Sequence, residues 1–219
     1  MDHGIAARGE CPGHSPSLRE RKKAETRDAI ARAAVRLALE RGPENVRVAD
    51  IAAAADVSPR TYNNYFASIP EAICALASDR VRQLPDAVRG RPADEPLDEA
   101  VANAMLSVRD DDSSARSLAR MVVYDPALRG EFFKAIMARD AALERVIAER
   151  TGTSPDDLYP QVLTAAISGA IRVAGQRWLR DDNADQAELL RSALAMVAPM
   201  ARNLMRKSVS SPPANNRSP

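Results

Sequence analysis

Histidine and cysteine are scarce in this 219-residue chain, and each scarcity removes a class of function. Both histidines, His3 and His14, fall in a polar N-terminal stretch, so no Cys–His or Ser–His pair lies where the sequence reads as folded. No glycine-rich phosphate loop occurs either, and together these absences argue against an all-α enzyme. The two cysteines, Cys11 and Cys74, offer no disulfide framework and suit a reducing cytoplasm. Cys11-Pro12-Gly13-His14 is half of a metal site with no second cluster to complete it. Asp110-Asp111-Asp112 reads as a solvated loop, because consecutive carboxylates on a turn do not converge on one ion without a rigid cage. No metal or cofactor is expected. No apolar run approaches the roughly 18–20 residues of a membrane span, and Met1–Pro16 lacks the apolar segment of a signal peptide. Strand alternation and internal repeats are also missing.

Charge of one sign is lacking too. The net charge is +1, far below that of a protein that coats nucleic acid without selection. The charge is uneven, however. Arg19, Arg21, Lys22, Lys23 and Arg27 outweigh Glu20 and Glu25 at the start of the first helix, where the helix dipole disfavours cations by a few tenths of a kcal/mol. A DNA backbone would explain this placement; a solvated charged face is the plainer alternative.

What remains is helix punctuated by caps. Residues 1–16 read as a disordered tail, and Ser17-Leu18-Arg19-Glu20 is a capping box whose helix ends at Gly42-Pro43. Ser68-Ile69-Pro70-Glu71 is a second box, opening a helix expected to end near Leu84, before Pro85. Later helices are expected over Leu97–Val108, Ala115–Val123 and Asp125 to about Arg150, where Thr151-Gly152 stops the chain. Ser154-Pro155 is expected to cap the next one, bent at Pro160 and running to Leu179, and Asn183 to start the last, ending near Lys207. Residues 208–219 read as a second tail. The fold class is all-α.

The informative stretch is Val48–Phe66, two short helices joined by a tight turn. Ser58 is a favoured N-cap, and Pro59 stands at the first helical position, where its missing N–H is harmless. Tyr62 and Phe66, four apart, share a face and with Ile51 and Val57 form a small core. The opposite face carries Arg60 and Asn64, flanked by Thr61 and Asn63, and no acid. These are side chains that read base edges in a major groove: Arg to guanine, Asn to adenine, Thr to either or to a thymine methyl. An exposed polar face of no consequence is the alternative on these residues alone.

Residues 17–80 resemble the DNA-binding end of the TetR family of one-component repressors. The resemblance is carried by Ile30, Ala33, Ala34 and Leu37 on the first helix, Val48-x-Asp50-Ile51-Ala52, the turn Val57-Ser58-x-x-Thr61, and Tyr65-Phe66-x-Ser68. Three positions depart from the family pattern: Asp56 stands where Gly is usual, Arg47 where Thr is usual, and Ile69 where a phosphate-touching Lys is usual. The resemblance implies a nine-helix architecture, with a reading domain over 17–67 and an effector-binding and dimerisation domain over 68–207. Residues 68–84 would form the connecting helix. It implies double-stranded DNA as partner, read by Arg60, Thr61, Asn63 and Asn64, with Arg21, Lys22, Thr26, Val48, Ser58 and Tyr65 on the backbone. An adaptor that has lost DNA binding is the alternative that Ile69 raises.

Small side chains around Ala166, Gly169 and Ala170 suit close helix approach, although each Gly costs about 1 kcal/mol in helix propensity. Leu190, Leu194, Val197 and Ala201 make the last helix's apolar stripe, and the resemblance makes both segments a homodimer interface. A stripe of this kind is more often intramolecular core, so the dimer reading leans on the resemblance as well as on the pattern. Met105, Val108, Met121, Val122, Tyr124, Phe132, Phe133, Ile136 and Trp178 are the candidate walls of a cavity for a small lipophilic effector, plain core being the alternative. Arg172 and Gln176 are expected as its polar anchors, with Asp140, Glu144 or an acidic ligand group as partner for a buried Arg172. The C-terminal half also resembles actinobacterial members of the family, the mycofactocin-locus regulator among them, which implies acyl-CoA-like effectors.

Overall fold

The structure, a computed structural model, describes residues 17–108 and 114–209, with side chains described through Met200. Cys11, His14 and the Asp110–Asp112 run lie outside the described residues, as does the side chain of Ala201. Among the described residues there are nine α-helices, one 3-10 turn and no strand. Helix α1 spans Leu18–Arg41, α2 Val48–Ala54, α3 Pro59–Asn63, α4 Ile69–Arg89 and α5 Leu97–Ser107. Helix α6 spans Ala115–Tyr124, α7 Pro126–Thr151, α8 Leu158–Arg180 and α9 Gln186–Val209.

The caps act locally as their chemistry dictates. Ser17 Oγ accepts from the Glu20 N–H at 3.2 Å, and the Glu20 carboxylate accepts from the Ser17 N–H at 2.7 Å. Gly42 ends α1 at φ 82°, a conformation costly for residues with a Cβ. Asp125 Oδ1 accepts from the Leu128 N–H at 2.9 Å, and Gly152 closes α7 at φ 66°.

Three helix ends differ from expectation. Pro85 does not end α4, which continues to Arg89. An interior proline costs about 3 kcal/mol. Leu84 and Val88, both 0% exposed and packed toward α7, each return about 1.5–3 kcal/mol of burial. Arg150 of α7 then gathers the carbonyls of Val88, Arg91, Pro92 and Glu95 at 2.8–3.4 Å and fixes the α4–α5 turn. Ser154 shapes a turn instead of capping α8, which starts after Asp157, so Pro160 sits in its first turn. Asp185, not Asn183, caps α9, its Oδ1 accepting from the Ala187 N–H at 2.7 Å.

Two cores result. The first joins Ile30, Ala34, Leu37, Ile51, Tyr62, Phe66 and Ile73 to Leu118, Val122 and Leu128, so α6 and the start of α7 pack against the small N-terminal helices. The second joins Leu84, Val88, Leu97, Val101, Leu143, Ile147, Leu163, Ile167, Leu190 and Leu194. Helix α4 contributes to both, its longest packing being against α7. Buried Cys74 donates to the Leu128 carbonyl at 3.5 Å, and burial pushes its thiol up to about 12.

Candidate DNA-reading face and effector cavity

Helix α3 is five residues long, and Asn64 is its C-cap. Ser58 Oγ accepts from the Thr61 N–H at 3.0 Å and lies 2.8 Å from Thr61 Oγ1, so the two hydroxyls share a hydrogen bond. Tyr62 is 1% exposed and Phe66 2%, their rings 5.9 Å apart. Arg60, Asn63 and Asn64 are exposed, while Thr61 is half-buried. The geometry thus separates an anchoring face from a polar face on one short helix. Asp56 makes the preceding turn at φ 53°, the left-handed region in which glycine is at ease and Asp is tolerated.

Two further bonds orient this element. Tyr62 Oη donates to the Ser68 carbonyl at 3.0 Å, with burial, then Glu71, raising its phenol to about 12. Arg27 pairs with Asp79 of α4 and lies over the Phe66 ring at 5.2 Å. Arg27 is therefore half-buried and committed within the protein, which corrects its assignment to the free basic patch; Arg19, Arg21, Lys22 and Lys23 are exposed. Thr26 Oγ1 donates to the Lys22 carbonyl at 2.9 Å. Val48 and Tyr65 are half-buried against the first core. Arg47 supplies no side-chain cap to α2, and Ile69 packs on the first core where a lysine would extend outward.

A half-open cavity of about 490 Å³ lies between α4, α5, α6 and the ends of α7, α8 and α9. Of the expected walls, Met105, Val108, Val122, Phe132 and Trp178 line it, joined by Ala77, Arg80, Val81, Leu106, Arg116, Leu118, Ala119 and Gln186. Met121 packs into the first core instead. Tyr124 is 69% exposed and Phe133 55%; Phe133 is displaced about 100° around α7 from Phe132. Ile136 is half-buried but away from the cavity.

The anchor pair is also corrected. Arg172 is exposed, in line with Ala165 seven residues earlier, and neither it nor half-buried Gln176 lines the cavity. The buried guanidinium is Arg139, 4% exposed. It donates to Asp140 at 2.6 and 2.9 Å and to Ser168 Oγ at 2.7 Å, and Ser168 in turn donates to Asp140 at 2.7 Å. A signal for it existed. Arg139 falls in the apolar stripe Leu128, Phe132, Ala135, Leu143 and Val146, where a charge demands a partner.

Arg116, in the cavity wall, lies 4.5 Å from the Trp178 ring centroid and donates to the Asp181 carbonyl and to Asp182. Arg120 donates to the Leu179 carbonyl and to Asp182 as well. These bonds hold the Asp182 carboxyl below the usual carboxylate range and fasten α6 to the end of α8.

On the outer surface, the expected stripe of α9 faces inward: Leu190, Leu194 and Val197 pack into the second core, because α9 uses that side against α5 and α8. Its outward apolar residues are Met196 and Met200. On α8, Ala166, Gly169 and Ala170 are half-buried, and Leu158, Val162 and Val173 are exposed. A Cβ built on Gly169 or Gly175 would meet nothing within 4 Å among the described residues, so no close approach by these explains those glycines.

Comparison with known proteins agrees with this geometry. Residues 30–71 match the family described as bacterial regulatory proteins, tetR family, and residues 91–202 match the MftR C-terminal domain. The chain is 33% identical over 181 residues to the HTH-type transcriptional regulator TcmR of Streptomyces glaucescens, covering 77% of this chain and 80% of that protein. It is 26% identical over 181 residues to the putative mycofactocin biosynthesis transcriptional regulator MftR of Mycobacterium tuberculosis, covering 81% of this chain and 91% of that protein. Among solved structures, FadR of Thermus thermophilus, a TetR-family repressor in complex with lauroyl-CoA, superposes with a TM-score of 0.53 at 22% identity. That match covers 87% of this chain and 100% of the other. These relatives are regulators and not enzymes, and among the described residues no helix is long and apolar enough to cross a membrane. The chain belongs to the TetR family of DNA-binding transcriptional regulators.

Proposed function

We propose that this regulator is a cytoplasmic homodimeric repressor that reads a near-palindromic operator and responds to a small lipophilic effector. The observation that carries the reading is the division of α3, with Tyr62 and Phe66 buried and Arg60, Asn63 and Asn64 exposed beside them. Arg60, Asn63 and Asn64 contact base edges, each good pair contributing about 1–3 kcal/mol of discrimination. Thr61, its hydroxyl shared with Ser58, offers its methyl to a thymine. Arg21, Lys22, Thr26, Ser58, Tyr65 and the backbone at Val48 hold the phosphates. Residues 17–67 form the reading domain and 68–207 the effector and dimer domain.

Two subunits pair through the outer sides of α8 and α9. Exposed Leu158, Val162, Val173, Met196 and Met200, with room beside Gly169, support that surface over the inward stripe. The two-fold axis then sets half-sites one turn or a little more apart on the same side of the duplex. The effector, with acyl-CoA-like molecules among the candidates, occupies the cavity and acts only through its differential affinity for the DNA-competent and incompetent states.

The test is a mobility-shift assay with the gene's own upstream region at two salt concentrations. We expect sequence-specific binding, lost in the Arg60→Ala/Asn64→Ala double variant. Unchanged affinity in that variant overturns the assigned reading face.

A further inference from the structure

We propose that Arg47 grips a backbone phosphate of the operator and supplies, from the start of α2, the cationic contact that Ile69 does not bring from the start of α4. The proposal rests on the operator reading above and adds a positioning residue to it, one that carries charge and no base preference. Its basis is a side chain fixed at its root and committed to nothing at its tip.

The root is held from both sides. Val46, directly before it, is 2% exposed in the first core, and the Arg47 carbonyl accepts from the Asp50 and Ile51 N–H groups at 3.1 Å each. Arg47 itself is extended, at φ −118° and ψ 151°, and exposed. Its guanidinium caps nothing on α2 and makes no ion pair or hydrogen bond among the described residues. The neighbouring charges are matched elsewhere. Arg41 reaches Asp50 at 3.8 Å, and the Glu44 carboxylate accepts from the Asn45 side chain at 3.0 Å. The next acid, Asp56, stands beyond the far end of α2. The exposed remainder of α2 is Ala49, Ala53 and Ala54, short side chains that let a duplex come close.

The position suits the docking of two helices joined by a turn. When the second of them lies in a major groove, the first crosses the sugar-phosphate backbone. Here α3 is the second, and the Val57 N–H, donating to the Ala52 carbonyl at 2.9 Å, closes the turn that fixes α2 beside it. A residue at the start of α2 therefore meets phosphate and not base edges. A guanidinium suits that place, since its planar fork donates two parallel hydrogen bonds to phosphate oxygens and stays charged at every working pH. Arg47 also has no internal bond to give up on binding, unlike Arg27, which is paired with Asp79.

The test is a salt titration of operator binding by the full-length protein and by Arg47→Ala, Arg47→Lys and Arg47→Thr. Arg47→Ala is expected to lose about tenfold in affinity at 50 mM salt. One phosphate contact contributes about 0.9 to the slope of log affinity against log salt, so this loss shrinks to about threefold at 200 mM. The factor is expected to be the same on the operator and on its single-base variants, as a contact blind to sequence requires. Arg47→Lys keeps most of the slope. Arg47→Thr loses it, although its hydroxyl can cap α2 and its melting temperature is expected at or above that of wild type. Affinity that follows melting temperature instead of charge overturns the proposal. Arg145→Ala, an equal charge change at an exposed site on α7, is expected to leave the slope unchanged. A wild-type slope in Arg47→Ala, a loss that differs between base variants, or an equal effect of Arg145→Ala would each overturn it too. Wild-type protein that binds no operator counts against the regulatory reading, and operator binding insensitive to Arg47 counts against this inference alone.

Discussion

At the DNA-reading end, Tyr62 and Phe66 are buried and the polar side chains beside them stand in solvent. The cavity inverts this arrangement, setting Arg80 and Arg116 among apolar walls. The difference follows from what water does for each group. Arg60, Asn63 and Asn64 stand in water, so holding them costs almost nothing and only their scaffold needs packing. The cavity arginines have been drawn partly out of water, and Arg116 is compensated by two carbonyls, a carboxylate and an indole face. The two regions are also neighbours. Leu118 and Val122 belong to the first core and to the cavity wall, and Phe132 packs on that core and lines the cavity, so one layer of side chains separates the cavity from the packing behind α1 and α4.

The comparison breaks most severely at Phe66. Phe66→Ala empties the small core and removes the surface under Arg27, and is expected to cost about 3–5 kcal/mol. Urea unfolding should show a large drop in midpoint, and operator binding should fail; a midpoint near wild type would mean that Phe66 is not the anchor described. A smaller effect is expected where α1 meets α4. Arg27→Ala removes a partly exposed ion pair with Asp79 and the ring contact on Phe66, together about 1–2 kcal/mol. Operator affinity should fall several-fold with only a few degrees lost in Tm. A double-mutant cycle with Asp79→Asn should show coupling between the two sites, and strictly additive effects would remove that link.

The smallest effect is a pH dependence outside both regions, at the turn between α4 and α5. Hydrogen bonds from Arg91, then Asn103, with Arg91 and Arg150 charges nearby, hold the Glu95 carboxyl down at about 2 against an ordinary 4.5. A depressed folded value makes this contribution complete above pH 4.5 and loses it as pH falls toward 2. Between pH 5 and pH 3 the melting temperature of wild type should therefore fall more than that of Glu95→Gln. Equal slopes would show that Glu95 does not anchor the α4–α5 turn.

Much of the reading end was legible because its signals are local. Ser17 with Glu20, Ser58 before Pro59, and Tyr62 four residues before Phe66 each act within one or two turns of helix, so residue type and spacing suffice. The second half resisted where the deciding partner is distant. Pro85 looked like a break because its local cost is visible and the burial of Leu84 and Val88 against α7 is not. Leu190, Leu194 and Val197 were recognised as a stripe, but a stripe does not say which neighbour covers it. Arg172 stands out by composition in an apolar helix yet is exposed, whereas Arg139, within α7's own apolar stripe, is the buried one.

The sequence by itself determined that the chain is helical, where most helices begin, and which face of α3 is polar. Those properties come from backbone capping and from the angular spacing of side chains on a helix. Only the tertiary structure decided which arginines are buried and which side of α9 packs inward. It also decided which of the expected cavity residues face a common space. Desolvation and burial depend on what another helix, tens of residues away, brings alongside, and no local pattern carries that information.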